Sequence, residues 1–505
     1  MSEFYVIGID VGTSGVKAIA VDAKGTILAS CTEGYPLLTP APGWTEQDPA
    51  TWWEATQKAV RNVMAQCDVS MVRGVGLSGQ MHGMVALDED HRVLRNAILW
   101  NDQRTVRQCA EIVEGAGGLD ALLEATNNHM LTGYTGGKIL WMKQNEPQLY
   151  ARTRMIINPK DYIRFLLTGT LSTEVSDASG FGLFDVRNNV WNLGLIERLG
   201  LDPAMFPPVT ESGAVAGPVT AEAARCCGLP AGIPVCAGGG DAVISTTGLG
   251  LIKPGRIAVT LGTSGVVAMG LSSFMPNPGG SLQVFRGNSP ETFVAMGVTL
   301  SAAGSYHWFR DALGQHQVHL AAQSGKSAFA LLDKEASATP PGADGLLFLP
   351  YLNGERCPVN DADVKGGFLG LTAQHRLGHF ARAVLEGVAF SMRQVYELML
   401  QQSGESVVSG EVVLAGGGAA SPLWRQIMAD VFGLPVRTVY GSAEGGSFGA
   451  ALVAGVATGV WGSLEETVAL VRPESETLPC ADNAHIYQAL YERYVRMYDA
   501  LRWSY

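Results

Sequence analysis

Residues 4–17 read FYVIGIDVGTSGVK and residues 256–266 read RIAVTLGTSGV, so the pentapeptide GTSGV occurs twice, at 12–16 and at 262–266. In both places an apolar run with strand character enters a Gly-Thr-Ser-Gly turn, and a second apolar run leaves it. Chance recurrence of a five-residue string is improbable, even in a 505-residue chain with 62 glycines. The repeat therefore reads as two related halves facing one ligand. Glycine at such a turn lets backbone approach a ligand closely. Successive N–H groups there suit phosphate oxygens. Asp10 stands at the rim of the first turn, where a carboxylate can hold a hydrated Mg²⁺.

The sequence around the first copy is α/β in grammar. Asp22-Ala-Lys-Gly25 supplies a turn to the next strand-like run, VRGVGLSG (72–79) reads as another strand, and Asp48-Pro49 opens a helix. The polar stretch GQMHG (79–83) then separates that strand from MVAL (84–87). It is either a tight turn holding a structural histidine, His82, or part of a substrate site. In VCAGGGDAVISTTGLG (235–250) a strand ends in three glycines and Asp241, at a strand-to-helix junction where α/β sheets bind ligands. VVLAGGGAASPLW (412–424) repeats the pattern, and its bare backbone fits a nucleoside. EGGSFGAALVAG (444–455) reads as a helix start made for close helix packing. The proline and glycine of GLGLIKPGR (248–256) suit a hinge. The aromatics near the C-terminus fall on one helical stripe.

Composition narrows the function classes. A net charge of −12 argues against nucleic acid and against an anionic membrane surface. Eight cysteines with no C-x-x-C pair read as free thiols in a reducing cytosol. No apolar stretch is long enough to span a membrane and no basic leader opens the chain, so a cytoplasmic protein is expected. Neither G-x-G-x-x-G nor a P-loop occurs, which disfavours dinucleotide enzymes and P-loop kinases.

Asp10 with GTSG, then GGGD, LGTSG and AGGGAASPLW, in this order, resemble the motifs of the FGGY carbohydrate kinases. GYTGGKILWMKQN (133–145) and GGFLGLTAQHRLGHFARAVLEG (366–387) resemble two further segments of that family, and the likeness spans about residues 4–460. It implies two actin-like (ribonuclease-H-like) α/β domains, at 1–250 and 251–505, with a cleft between them. It implies MgATP and a small sugar as ligands, with a homodimer as the assembly to test. Asp241 becomes the general base, and Asp10 with Asp241 the metal residues. Thr13, Ser14, Gly262, Thr263, Ser264, Gly417, Gly418 and Ser421 become nucleotide and phosphate contacts, and Trp308 the residue flanking adenine.

GQMHGM and ILWND resemble the xylulokinase branch, which makes Gln80, Met81, His82, Trp100 and Asn101 sugar contacts alongside Asp241. Glycerol kinases carry an Arg-Glu pair at that turn. The branch implies ATP-dependent phosphorylation of the primary hydroxyl of D-xylulose, with another ketose, a polyol or gluconate as the alternative. Ala242 departs from the pattern, because many xylulokinases carry an amide there. NGERCP (353–358) resembles a loop of the same branch, and its Glu355-Arg356 pair equally suits a structural salt bridge. The reading of another class is an actin-fold chaperone ATPase or sugar sensor. These would need a peptide-binding or DNA-binding module that the sequence does not display.

Overall fold

The computed structural model describes residues 4–252, 254, 256–403 and 410–504. Lys253 and Gly255 of the expected hinge lie outside them. The chain forms two compact units, Met1–Lys253 with Gly270–Val294 and Glu444–Val471, and Pro254–Met269 with Ala295–Ala443 and Arg472–Tyr505.

The first unit is built on a seven-stranded sheet. Its backbone path runs Val215–Pro218, Pro234–Cys236, Val72–Gly79, Tyr5–Val11, Gly15–Asp22, Ile27–Gly34, and the short strand Gly239–Gly240 pairs with Val72–Gly79. Tyr5–Val11 and Gly15–Asp22 form the antiparallel hairpin expected around GTSG, and Val72–Gly79 lies parallel to the first of them. Alternation along these strands sends side chains to two different faces. Tyr5, Ile7, Ile9, Val11, Val75 and Leu77 join the core that also holds Trp52, Ala59, Val60 and Val63 of helix Pro49–Met64. As the sequence indicated, Asp48 caps that helix, accepting the Ala50 N–H at 2.9 Å.

The other face carries Gly8, Asp10, Gly76 and Ser78, and on it lies the apolar helix Gly445–Ala457. A Cβ on Gly8 would stand 1.9 Å from the Ser447 carbonyl oxygen, and one on Gly76 would stand 2.0 Å from that of Ala450. Helix and sheet are thus in backbone contact through glycine, the close packing that the EGGSFGAALVAG stretch suggested.

A second sheet, carried mainly by the second unit, has the strands Phe293–Thr299, Gly265–Leu271, Arg256–Leu261, Glu411–Ala415, Val436–Val439 and Pro473–Thr477 in that order. Arg256–Leu261 and Gly265–Leu271 form a hairpin around the second GTSG, and Glu411–Ala415 runs parallel to the first of them. This repeats the layout of the first unit. Helix Ala481–Leu501 packs Tyr487, Tyr491 and Tyr494 around Phe390, with ring centroids 6.2, 6.0 and 5.4 Å away. Among the described residues, no helix is long and apolar enough to cross a membrane.

Candidate active site

Sheet register sets the carboxylates of the first unit. Asp10 pairs with Ser78, Ser78 with Gly239, and Gly240 with Gly79, so Asp10 and Asp241 emerge at the same edge. Asp241 opens helix Asp241–Gly248, at the carboxyl end of parallel strands where α/β sheets place ligands. Its Oδ1 accepts the N–H of Ala242 at 2.8 Å and that of Met81 at 3.3 Å. Burial, and then the charge of Asp10, push its carboxyl up to about 7. Burial also raises Asp10, which the Ser78 hydroxyl (2.6 Å) and Lys17 pull back. The start of helix Gly445–Ala457 reaches this carboxylate, since a Cβ on Gly446 would stand 2.9 Å from Asp10 Oδ1.

The electrostatics have a measurable consequence for ligand-free protein. A carboxyl whose folded pKa is raised gives a stability contribution that is full below its unfolded pKa and lost as pH rises through the folded value. Asp241→Asn should therefore raise the melting temperature at pH 8 by roughly one to three degrees, from on the order of 1–3 kcal/mol. The gain should vanish near pH 4. Equal melting temperatures at pH 8 would contradict the raised carboxyl of Asp241.

The turn after Val72–Gly79 is held from three sides. His82 sits at φ 68°, a left-handed conformation uncommon outside glycine. Its carbonyl accepts the Lys138 ammonium at 2.6 Å and the Thr135 hydroxyl at 3.1 Å, and the Gly83 carbonyl accepts Asn158 Nδ2 at 2.8 Å. Lys138 also donates to the Gly133 carbonyl. Burial lowers its pKa to about 7, with Asp102 opposing. His82 Nδ1–H donates to the Gly180 carbonyl at 2.9 Å, which makes Nε2 the acceptor of the neutral ring. The ring packs on Tyr134 at 4.7 Å and Phe285 at 6.2 Å.

Beneath this turn lies a charge cluster with no solvent exposure. Lys160 Nζ stands 2.7 Å from Asp161, 2.8 Å from Asp177 and 3.4 Å from Glu174, and Arg164 pairs with Asp161 at 2.9 Å. Glu174 accepts the Ser176 hydroxyl, whose oxygen accepts the Gly240 N–H at 3.0 Å. The cluster so fixes the residue before Asp241.

The second unit holds a cavity of about 320 Å³. Its walls include Tyr306, Phe329, Asp333, Gly417, Gly418 and Trp424. Tyr306 OH donates to Asp333 Oδ1 at 2.8 Å and the Ser421 hydroxyl to Oδ2 at 2.7 Å. Ser421 also caps helix Pro422–Phe432, accepting the Trp424 N–H. Aromatic walls, bare glycine backbone and one carboxylate make a site of nucleoside size and chemistry.

Residues 5–248 match the family model of the N-terminal domain of the FGGY carbohydrate kinases, and residues 257–458 match that of the C-terminal domain. The chain belongs to the FGGY family of carbohydrate kinases. Xylulose kinase from Bacillus subtilis strain 168 is 37% identical over 98% of the chain and 96% of its own length. Xylulose kinase from Escherichia coli strain K12 is 35% identical over 98% and 99%. The crystal structure of xylulose kinase from Rhodospirillum rubrum superposes with a TM-score of 0.90 at 30% identity, covering 99% of both chains. Both units are thus the actin-like α/β units of an FGGY sugar kinase, as the sequence suggested.

Among the residues expected at the site of this FGGY kinase, Asp10, Gln80, Met81, His82 and Asp241 are brought together in the first unit. Several side chains are engaged with protein. Gln80 is buried and donates to Gln47 at 2.9 Å, Met81 is buried against Gly240, and Asn101 accepts the Thr45 hydroxyl at 2.7 Å. Thr13 Oγ1 donates to Gln80 at 3.2 Å and accepts the indole N–H of Trp100, itself 46% exposed, at 2.9 Å. Ser14, Thr263 and Ser264 are exposed at their turns, with Gly262 beside them. Trp308, 37% exposed, stacks on Phe348 with centroids 6.0 Å apart and is not among the cavity walls.

Sequence reading gave no role to Lys138, Gly180, Tyr306, Phe329 or Asp333, although Lys138 belongs to the GYTGGKILWMKQN segment (133–145). The acidic oxygens of Asp10 and Asp241 suit Mg²⁺, which takes one or two carboxylates together with waters and phosphate oxygens.

Proposed function

We propose that this FGGY kinase transfers the γ-phosphoryl group of ATP to the primary hydroxyl of D-xylulose, giving D-xylulose 5-phosphate. One observation carries the reading. Asp241, raised to about 7, accepts the Met81 N–H of the turn that holds His82, so the proton acceptor and the polar sugar-side turn are one construction. The strong likeness to xylulose kinases along the whole chain supports the choice of sugar.

Asp241 takes the proton of the hydroxyl, whose oxygen forms the new bond to the γ-phosphorus while the bond to the β-phosphate oxygen breaks and ADP leaves. A raised pKa makes this carboxylate a better proton acceptor than an ordinary aspartate. N–H groups of the turn after Asp10 serve as donors to the charged phosphoryl oxygens. Gly262, Thr263 and Ser264 serve the nucleotide phosphates, while Gly417, Gly418, Ser421 and Asp333 serve the nucleoside. His82, and Trp100 beside the Thr13 turn, serve the sugar. Asp10 and Asp241 would hold Mg²⁺, which supplies charge neutralisation on the phosphates when bound.

ADP release should require a sugar and be highest with D-xylulose among pentuloses, hexuloses, polyols and gluconate. Faster turnover with gluconate or a polyol would move the assignment, and sugar-independent ATPase activity would overturn it. Ala242 is exposed beside Asp241, so Ala242→Asn should change the rank order of sugars more than the KM for ATP.

Lys138→Met should raise the KM for the sugar about tenfold, because it removes one of the two donors to the His82 carbonyl and the Lys138 donor to the Gly133 carbonyl. The KM for ATP should stay within twofold. Equal increases in both would indicate general unfolding instead of a displaced turn.

A further inference from the structure

We infer that Glu355 is a positioning residue for nucleotide binding: from behind, it holds the segment on which both the Gly262–Ser264 turn and the Tyr306 wall of the cavity are mounted. The inference rests on the proposed nucleotide role of the second unit and names a residue outside the cavity that the role requires. Glu355 is almost wholly buried. Its Oε1 accepts the N–H of Leu300 at 2.8 Å and that of Arg356 at 2.7 Å. Its own backbone is tied to Asp361 by a reciprocal pair of 2.8 Å hydrogen bonds, so the carboxylate projects from a fixed loop. A second tie joins the same two segments, where the Cys357 N–H donates to the Val298 carbonyl at 3.2 Å.

The segment so held, 298–304, then binds the turn. The N–H of Ala303 donates to the Gly262 carbonyl at 2.8 Å, and those of Ala302 and Gly304 donate to the Thr263 carbonyl at 2.9 and 3.1 Å. The fit is close, since a Cβ on Gly304 would stand 2.7 Å from the Thr263 carbonyl oxygen. Helix Ala303–Ala312 begins in this segment, and its Ala303, Tyr306 and His307 line the cavity. One buried carboxylate therefore fixes the carbonyls of the phosphate turn and the rotation of the helix that carries the aromatic wall. Glu355 touches neither, so its effect is on placement. Burial pushes its carboxyl up to about 7, so near neutrality an uncharged amide is a fair substitute for it.

The test uses the full-length protein with Glu355→Gln, Glu355→Asp and Glu355→Leu. The readouts are calorimetric affinity for a non-hydrolysable ATP analogue and separate KM values for ATP and sugar. Gln keeps an acceptor at the same reach and should stay within threefold of wild type. Asp keeps the charge but is one methylene short, and Leu keeps the volume without an acceptor. Both should weaken nucleotide binding about tenfold while the sugar KM stays within twofold. If Leu does not fold, the contrast between Gln and Asp decides. Unchanged nucleotide affinity in Asp and in any folded Leu variant overturns the inference, and so does a Gln variant as weak as Asp. A wild-type protein that binds no adenine nucleotide overturns the reading of the cavity and the inference with it.

Discussion

Asp241→Asn should lower kcat by at least about a thousandfold while leaving the affinity for an ATP analogue within twofold. The size follows from the loss of the proposed general base, which is worth roughly 10²–10⁴ in rate, together with the proposed metal ligand. Asn is the informative replacement, because its amide oxygen still accepts from Met81 and Ala242 and the turn stays in place. Asp241→Ala should fail equally in transfer. Nucleotide affinity is spared because Asp241 belongs to the first unit, whereas the walls of the candidate nucleoside cavity belong to the second. Single-turnover kinetics and calorimetry on the same preparation give both numbers. Turnover near the wild-type rate would remove Asp241 from the mechanism.

Gly76→Val should abolish the native fold, or lower its stability by more than about 4 kcal/mol, the range of severe overpacking and strain. The added Cβ would stand 2.0 Å from the Ala450 carbonyl oxygen and 3.1 Å from Ala454 Cβ. The first of these is backbone inside a helix and cannot rotate away. The whole helix Gly445–Ala457 would have to lift from the sheet, carrying Gly446 away from Asp10. A control is available at Gly213, where an added Cβ meets nothing within 4 Å and φ is not positive, so Gly213→Ala should be neutral to within about 0.5 kcal/mol. Denaturant titration of both variants checks the pair. A native-like midpoint for Gly76→Val would mean that helix and sheet are not in backbone contact.

The parts legible in the sequence are those whose signal is local. Alternation through Ile7, Ile9 and Val11, the Asp48-Pro49 helix start and the position of Asp241 between triple glycine and helix each depend on a few neighbouring residues. The GTSGV repeat added the layout of two units, and the structure repeats a hairpin with a parallel neighbour in each. What stayed hidden depends on distant residues or on helix rotation. Lys160, Glu174 and Asp177 are separate charges in the sequence, and only folding turns them into the support under Gly240. Tyr306 and Trp308 are two positions apart, so they point about 200° apart around their helix. One lines the cavity and the other meets Phe348, and no local pattern says which. The likeness to a family drew attention to Trp308, whereas the Tyr306–Asp333–Ser421 linkage is visible only in three dimensions.

The place of Glu444–Val471 in the first unit bears on how the protein comes off the ribosome. The sheet of that unit is complete in sequence by Gly240, yet the helix covering Gly8 and Gly76 is translated some two hundred residues later. Until then one side of the nascent sheet lacks its cover, with most of the second unit being synthesised in the interval. The part of the enzyme begun first therefore stays incomplete until most of the second unit has been made. Contacts of such long sequence separation form slowly, and uncovered strands are prone to associate meanwhile. Stalled or truncated chains ending before Gly445 should depend on chaperones far more than the complete chain does, whatever their sugar or nucleotide supply.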